Sequence, residues 1–475
     1  MALADGRPSP VAVPGQEESP VGSLRLVPGP NPVPAGAYDL SEVGYCEQEY
    51  LLSGSARSYQ IAAERLGDGR WDARPDATAP FATRLIVRRP ADPASFSGTV
   101  VVEWLNVSGG VDAAPDWTMT HTHLMRRRHG WVGVSAQRAG LEGGGLAGGM
   151  GLKKAFPDRY AALNHPGDAW SYDIFSQAGR MLRSEPGAQA LGGRAPVLLI
   201  ATGHSQSGAF LVTYINAIDR LAAVYDGFGV HGRPAGGAGI DGEFLSAFSG
   251  PGERIRDDLR VPVLVLQSET DVAVLGSGRA AQPDSGRLRV WEVAGAAHAD
   301  TYLLVAGNYD QGNLPAGRLA ELLAPTTDTP AGPTDSPINS GPQHHYVACA
   351  AIEHLVRWAA GGPPAPACDR LHLSEDGRDF HRTYYGIATG GIRTPWTDAP
   401  VATLSGVGQA GSMYAFLSGT TEPFDGEDMS RKWPFGRPGY LEDFEEELDR
   451  AISQGYLLAD DRAEILALAR VSYPG

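Results

Sequence analysis

An α/β fold built on a mostly parallel, doubly wound sheet is what this sequence predicts, on three observations. Short apolar and β-branched runs recur along the chain; they are almost continuously apolar, as strands covered on both faces must be; and helical patterns separate several of them. The runs are Thr83 to Val87 (TRLIV), Thr99 to Leu105 (TVVVEWL), Trp131 to Ser135 (WVGVS), Val197 to Ala201 (VLLIA), Ala223 to Val230 (AVYDGFGV), Val261 to Leu266 (VPVLVL) and Leu288 to Val293 (LRVWEV). Strand alternating with helix in one sheet implies parallel neighbours joined by crossovers of one hand.

Among the helices, Ser171 to Leu182 sets Ile174, Phe175, Ala178, Met181 and Leu182 on one face. Another pattern, Tyr346 to Ala360, stops at Gly361-Gly362 followed by Pro363-Pro364, a stop of the expected chemistry. Residues 1–40 are rich in Pro, Gly and Ser and read as an arm, with regular structure starting after it. A core over 41–362 follows, in which Gly232 to Gly252 is an insertion between two strands and a candidate cap or lid. Residues 363–475 form an added section that starts as loops and ends as two helices. One carries Leu441, Phe444, Leu448 and Ile452 on a face; the other is opened by Asp461 and Glu464 as a capping box.

Composition narrows the function. At 475 residues the chain is long enough for one large domain with additions, and 61 Gly and 36 Pro imply many turns and ordered loops, where working groups usually sit. A formal charge of −16, with Arg126 to Arg128 as the one basic cluster, argues against a nucleic-acid partner. Cys46, Cys349 and Cys368 are too scattered for a disulfide framework or a zinc pair and read as packing residues. The amino terminus has neither the basic nor the apolar region of a secretory signal, and no apolar run approaches membrane-spanning length, so a cytoplasmic location without a membrane partner is expected.

The strongest local signal is VLLIATGHSQSGAF, an apolar strand that runs through Gly203-His204-Ser205-Gln206-Ser207-Gly208 into a helix. A serine hydroxyl is a weak nucleophile unless it is exposed beside a base, and a strained strand-turn-helix elbow presents it so. Gly203 and Ser207 fill the crowded positions, and Gly208 lets the helix pack closely. Gly133-Val134-Ser135-Ala136-Gln137 is a near match that meets no clear helix start.

The partners follow in the order acid, then histidine, each on a loop after a later strand. VPVLVLQSETDV offers Asp271 and Glu269, of which Asp271 fits the common loop length better. RLRVWEVAGAAHAD brings His298 on a loop of small residues. His344 and His345 are rival bases placed just before a helix; His121, His123 and His231 read as surface or satisfied buried groups, and no metal site is expected. The oxyanion donors are expected at the N–H of Gln206 and in the loop Asn106, Val107, Ser108, Gly109 and Gly110, with a Gly-rich turn capped by Asn as the plainer reading. Trp104, Trp117 and Phe228 are candidates for an apolar acyl pocket, against core packing as the commoner role of aromatic residues near strand ends.

Taken together, EYLLSGSARSY, VEWLNVSGG, WVGVSAQ, GHSQSG, VYDGFGVH, QSETDV, WEVAGAAHAD and GGIRTPW resemble the bacterial α/β-hydrolase domain family, over most of the chain from about Tyr45. The resemblance implies an α/β-hydrolase fold, Ser205 as nucleophile, His298 as base and carboxylic-ester hydrolysis as the activity class. It also implies that the section holding Gly390 to Pro395 is integral to the domain. Ser207 departs from the common elbow but matches the family's own form; Tyr384 to Thr389 (YYGIAT) is less typical. The expectation is a serine esterase acting on a small-molecule ester without a cofactor. An amidase, lactonase or acyltransferase on the same triad, or a binding protein of this fold, are the alternatives.

Overall fold

The computed structural model describes residues 22–33, 36–62, 64–144 and 148–474. Most of the expected arm, and the amino terminus read for a leader, lie outside these residues.

Nine strands form one sheet among the described residues, in the order β1-β2-β3-β5-β4-β6-β7-β8-β9. They are β1 Ser23–Val27, β2 Tyr45–Ile61, β3 Ala73–Pro90, β4 Thr99–Trp104, β5 Gly130–Val134, β6 Leu198–His204, β7 Gly227–His231, β8 Val263–Ser268 and β9 Leu288–Val293. From β5 across to β9 every pairing is parallel, whereas β1, β2, β3 and the β3–β5 junction are antiparallel. The apolar runs fall on the parallel strands to within a few residues. TRLIV is corrected: it lies inside the much longer β3, paired antiparallel. Regular structure also starts earlier than expected, since β1 sits in the stretch read as an arm.

The principal helices are α1 Pro115–Arg126, α2 Ser171–Arg183, α3 Gln206–Thr213, α4 Gln343–Ala359, α5 Gly436–Gln454 and α6 Arg462–Ser472. Side chains alternate across a strand, so each parallel strand feeds two cores. Val100, Val102 and Trp104 of β4 pack on α2 and α3, together with Leu199, Phe228 and Val265. Val101 turns the other way, with Ile200, Leu264 and Trp291, onto α1, α4, α5 and α6. No helix among the described residues is long and apolar enough to cross a membrane.

The insertion 232–252 packs beside α3: Ala238 N–H donates to Ala209 O at 3.0 Å, and Thr213 Oγ1 donates to Ala238 O at 2.5 Å. The carboxy-terminal section is woven into the sheet edge. Ile392 extends β9 in parallel, with Ile392 N donating to Glu292 O and Ala294 N to Ile392 O. A two-stranded ribbon, β10 Ala402–Ser405 and β11 Thr420–Pro423, follows. The apolar face of α5 holds Tyr440, Phe444, Leu448 and Ala451, with the expected Leu441 and Ile452 partly buried against the same core. The capping box at α6 is absent: Asp461 pairs with Arg126 at 2.7 Å, and Glu464 accepts from Tyr346 OH at 2.8 Å, because both carboxylates tie α6 to the body of the molecule.

Candidate active site

Ser205 stands between β6 and α3 with φ 62° and ψ −120°. Such backbone is unfavourable for a residue with a Cβ, by about 1–3 kcal/mol, and persists only when the surroundings enforce it. They do: Ser205 N–H donates to His231 O at 2.9 Å, and a Cβ on Gly203 or Gly208 would lie 2.9 Å from Ser207 O or His231 O respectively. Strand and helix pinch the turn, and Ser205 is left half-buried at its apex.

His298 and Asp271 meet as a pair, with Nδ1 and Oδ1 2.5 Å apart. A carboxylate there holds the proton on Nδ1 and leaves Nε2 as the basic nitrogen. The other oxygen of Asp271 accepts from Ser268 N at 2.6 Å and Ser268 Oγ at 2.8 Å. Burial pushes the Asp271 carboxyl up, but the His298 ring and the Ser268 donors outweigh it and hold it below the usual aspartate range. The His298 ring stacks at 4.4 Å, tilted 34°, on that of His204, the residue just before Ser205.

Glu269, the other acid considered, has a different task. Its oxygens accept from Gly295 N at 2.6 Å and Gly406 N at 2.8 Å, and burial raises its carboxyl. It thus ties the loop of His298 to the carboxy-terminal section. Several residues the sequence reading passed over do the same: Asn339 Nδ2 donates to Gly295 O and Ser405 O, Gln343 Nε2 to Gly295 O, and Ala299 N to Leu417 O. Only a string such as the Gly-rich LSGVG at 404–408 hinted at so close a backbone approach.

The loop after β4 reaches the two residues flanking Ser205, with its donors largely engaged. Asn106 N pairs with Ala113 O, Ser108 N donates to Asn106 Oδ1 at 2.8 Å, and Val107 N to Gln206 Oε1 at 3.3 Å. Asn106 Nδ2 holds His204 O at 3.0 Å, and Ser108 Oγ donates to Gln206 Oε1 at 3.4 Å. Gly109 is exposed with open space around it, and Gln206 opens α3, where the first N–H groups have no partner within the helix. The amides of Asn106, Val107 and Ser108 are thus engaged within the protein. Beyond the loop, Asp112 is paired with buried Arg84 at 2.8 Å, which also holds Glu49 at 3.1 Å. Ser135, of the near-match string, hydrogen-bonds Asp112 there.

The pocket expectation is corrected. Trp104, Trp117 and Phe228 are all fully buried. Trp104 packs on Tyr172, Phe175 and Phe210, Phe228 on Tyr214 and Tyr225, and Trp117 on Trp131, with its indole N–H donating to Tyr38 OH. Inward-facing strand and helix positions placed them in the two cores. The rival bases are also displaced: α4 begins at Gln343, so His344 and His345 lie in its first turn. His345 donates from Nδ1 to Met119 O and stacks on Tyr302, and burial lowers it to about 4. His121 and His123 are buried in α1.

A strained serine elbow, a buried histidine–carboxylate pair and a sheet of this order define the α/β-hydrolase class of fold. The comparisons with known proteins agree at the level of family: a model described as an alpha/beta hydrolase domain matches residues 10–467. The chain belongs to the α/β-hydrolase domain family. No curated protein matches it. Among solved structures, it is similar to an α/β serine hydrolase without lid from Xanthomonas campestris, at 10% identity, 50% of this chain, 84% of that one and a TM-score of 0.26. Others are a fungal esterase from Rhizomucor miehei (11% identity, 66% and 85% covered, TM-score 0.31) and a glucuronoyl esterase from Teredinibacter turnerae (15%, 59% and 76%, TM-score 0.29).

Proposed function

We propose that this protein is a serine hydrolase that cleaves carboxylic esters through an acyl-enzyme. The observation that carries the reading is the conjunction of Ser205 at φ 62° with His298 held by Asp271 at 2.5 Å, its ring against the residue preceding the serine. Strain at the serine together with a buried acid–base pair whose ring lies against the preceding residue supports this reading over an ordinary strand-helix turn. Ser205 Oγ attacks the ester carbonyl carbon while His298 Nε2 takes its proton; the tetrahedral oxyanion is met by the N–H groups of Gln206 and Gly109. As the C–O bond breaks, His298 returns the proton to the leaving alkoxide. Water then repeats the sequence, and the acid departs. No cofactor enters these steps.

A fluorophosphonate probe with peptide mass mapping tests this on the whole chain. Modification at Ser205, lost in Ser205→Ala and strongly slowed in His298→Ala, is the expected result. A folded chain that stays unlabelled, or is labelled elsewhere, would sink the assignment.

A further inference from the structure

Behind the candidate triad lie three more histidines whose contacts fix where protons must sit. His204 closes β6, His231 closes β7, and His344 belongs to the first turn of α4; all are buried. The His204 ring lies 4.4 Å from that of His298 on one side and 4.4 Å from that of His231 on the other. His231 meets His344 edge-on at 4.9 Å.

Three polar contacts run through this group. His344 Nδ1 is 3.0 Å from Ala297 O, His344 Nε2 is 2.8 Å from His231 Nε2, and His231 Nδ1 is 2.8 Å from Asp116 Oδ1. A carbonyl oxygen only accepts, so His344 Nδ1 carries a hydrogen. Two ring nitrogens at hydrogen-bond distance need one hydrogen between them. So do a ring nitrogen and a carboxylate oxygen, or lone pairs would face each other. Three contacts therefore hold three protons, one more than an ionised aspartate and two neutral imidazoles possess. The trio is then net neutral, whether the third proton makes Asp116 a carboxylic acid or one ring an imidazolium beside an anionic Asp116.

We propose that Asp116, His231 and His344 form a proton-saturated, net-neutral network that positions His204 and, through it, the ring of His298. The proposal rests on the reading of His298 as the base. Groups facing the trio come from every neighbouring element: Glu103 of β4, which accepts from Asp116 N and Trp117 N; His204 of β6; and Asp271, His298 and Asp300 from the loops after β8 and β9. Burial, with His231 beside it, holds the His344 ring down to about 3. Gly232 walls the same corner, since a Cβ there would stand 3.0 Å from the His298 ring. His298 must gain a charge during acyl transfer, and a charged neighbour two rings away would alter the cost in so dry a place. A neutral trio leaves Asp271 to set that charge.

Neutron diffraction from crystals of the whole chain, exchanged into heavy water, tests the proton count. Deuterons are expected at His344 Nδ1, between the two Nε2 atoms, and between His231 Nδ1 and Asp116 Oδ1; a contact without one overturns the proposal. The positioning role is read from the rate and pH profile of fluorophosphonate labelling at Ser205, with thermal melts to show that each variant folds. Asp116→Ala leaves His231 Nδ1 without a partner, frees the ring to change tautomer, and is expected to slow labelling about 100-fold, the scale of a misplaced base. Asp116→Asn restores a donor to Nδ1 with every group neutral, and is expected to recover the rate to within about tenfold with the wild-type pH profile. A folded Asp116→Asn as slow as Asp116→Ala would overturn it, because charge rather than saturation would then be what counts. An unlabelled wild type with all three deuterons in place would sink the hydrolase reading while leaving the proton count intact.

Discussion

On one side of Ser205 the loop after β4 is fastened at most of its polar atoms, while on the other the groups behind His298 leave several buried atoms without a hydrogen-bond partner among the described residues. The loop side has Asn106, Val107 and Ser108 amides engaged, and Arg84, Glu49, Asp112 and Ser135 joined beneath them. The base side leaves His204 Nε2, Ser207 Oγ, Asp116 Oδ2 and Asp300 Oδ2 open. Opposite charges packed together fix one geometry, even with Asp112 Oδ1 left without a hydrogen-bond partner among the described residues. On the other side burial raises the Asp300 carboxyl and lowers the His204 and His344 rings, disfavouring their charged forms.

The contrast is sharpened most by Asp271→Asn, which keeps the shape but loses the charge that holds the Nδ1 proton. The labelling rate at Ser205 should fall by about 10⁴, with the melting curve little changed. A drop below tenfold would mean that the base side does not depend on that pair. Next comes Arg84→Met on the loop side. It leaves Asp112 buried without its cation, and chemical denaturation should show a loss of about 3–5 kcal/mol. A loss near zero would show that the loop is held by its backbone alone.

A smaller effect separates the two sides by pH. Burial raises the Asp300 carboxyl from its ordinary 3.8 to about 7. Between those values the unfolded chain has released the proton and the folded chain still binds it, so the contribution of Asp300 to stability falls as pH rises from about 4 to about 7 and levels off above. Asp300→Asn removes that titration and keeps an acceptor for Leu303 N. Its melting temperature should exceed the wild type's by more at pH 8 than at pH 5; an equal difference at both would exclude a suppressed charge. Gln206→Ala should do least: it frees Val107 N and Ser108 Oγ at a cost of about 1 kcal/mol in unfolding free energy, with labelling at Ser205 retained.

What the sequence made legible follows from how local each signal is. The elbow was readable because strand, turn and helix lie within fourteen consecutive residues, and the parallel strands because burial on both faces leaves little but apolar side chains. β2 was not, since YCEQEYLLSGSARSYQI draws its stability from two antiparallel partners rather than from its own composition. Glu269 and Asp271 stand two residues apart, and only the turn that follows β8 decides which carboxylate faces His298. Trp104, Trp117 and Phe228 were ambiguous for the same reason: a strand end and a site mouth look alike until the sheet exists. The trio of Asp116, His231 and His344 is drawn from α1, β7 and α4, more than a hundred residues apart in each contact between side chains, and no local pattern marks it.

The bonds from Glu269, Asn339 and Ala299 to Gly406, Ser405 and Leu417 have a consequence for how the protein is made. Synthesis runs from the amino end, so a nascent chain already displays Ser205, Asp271 and His298 long before residues 405–419 leave the ribosome. Until then the loops of the acid and the base lack their clasp. The loops of Asp271 and His298 thus gain these partners only after residues 405–419 have been made.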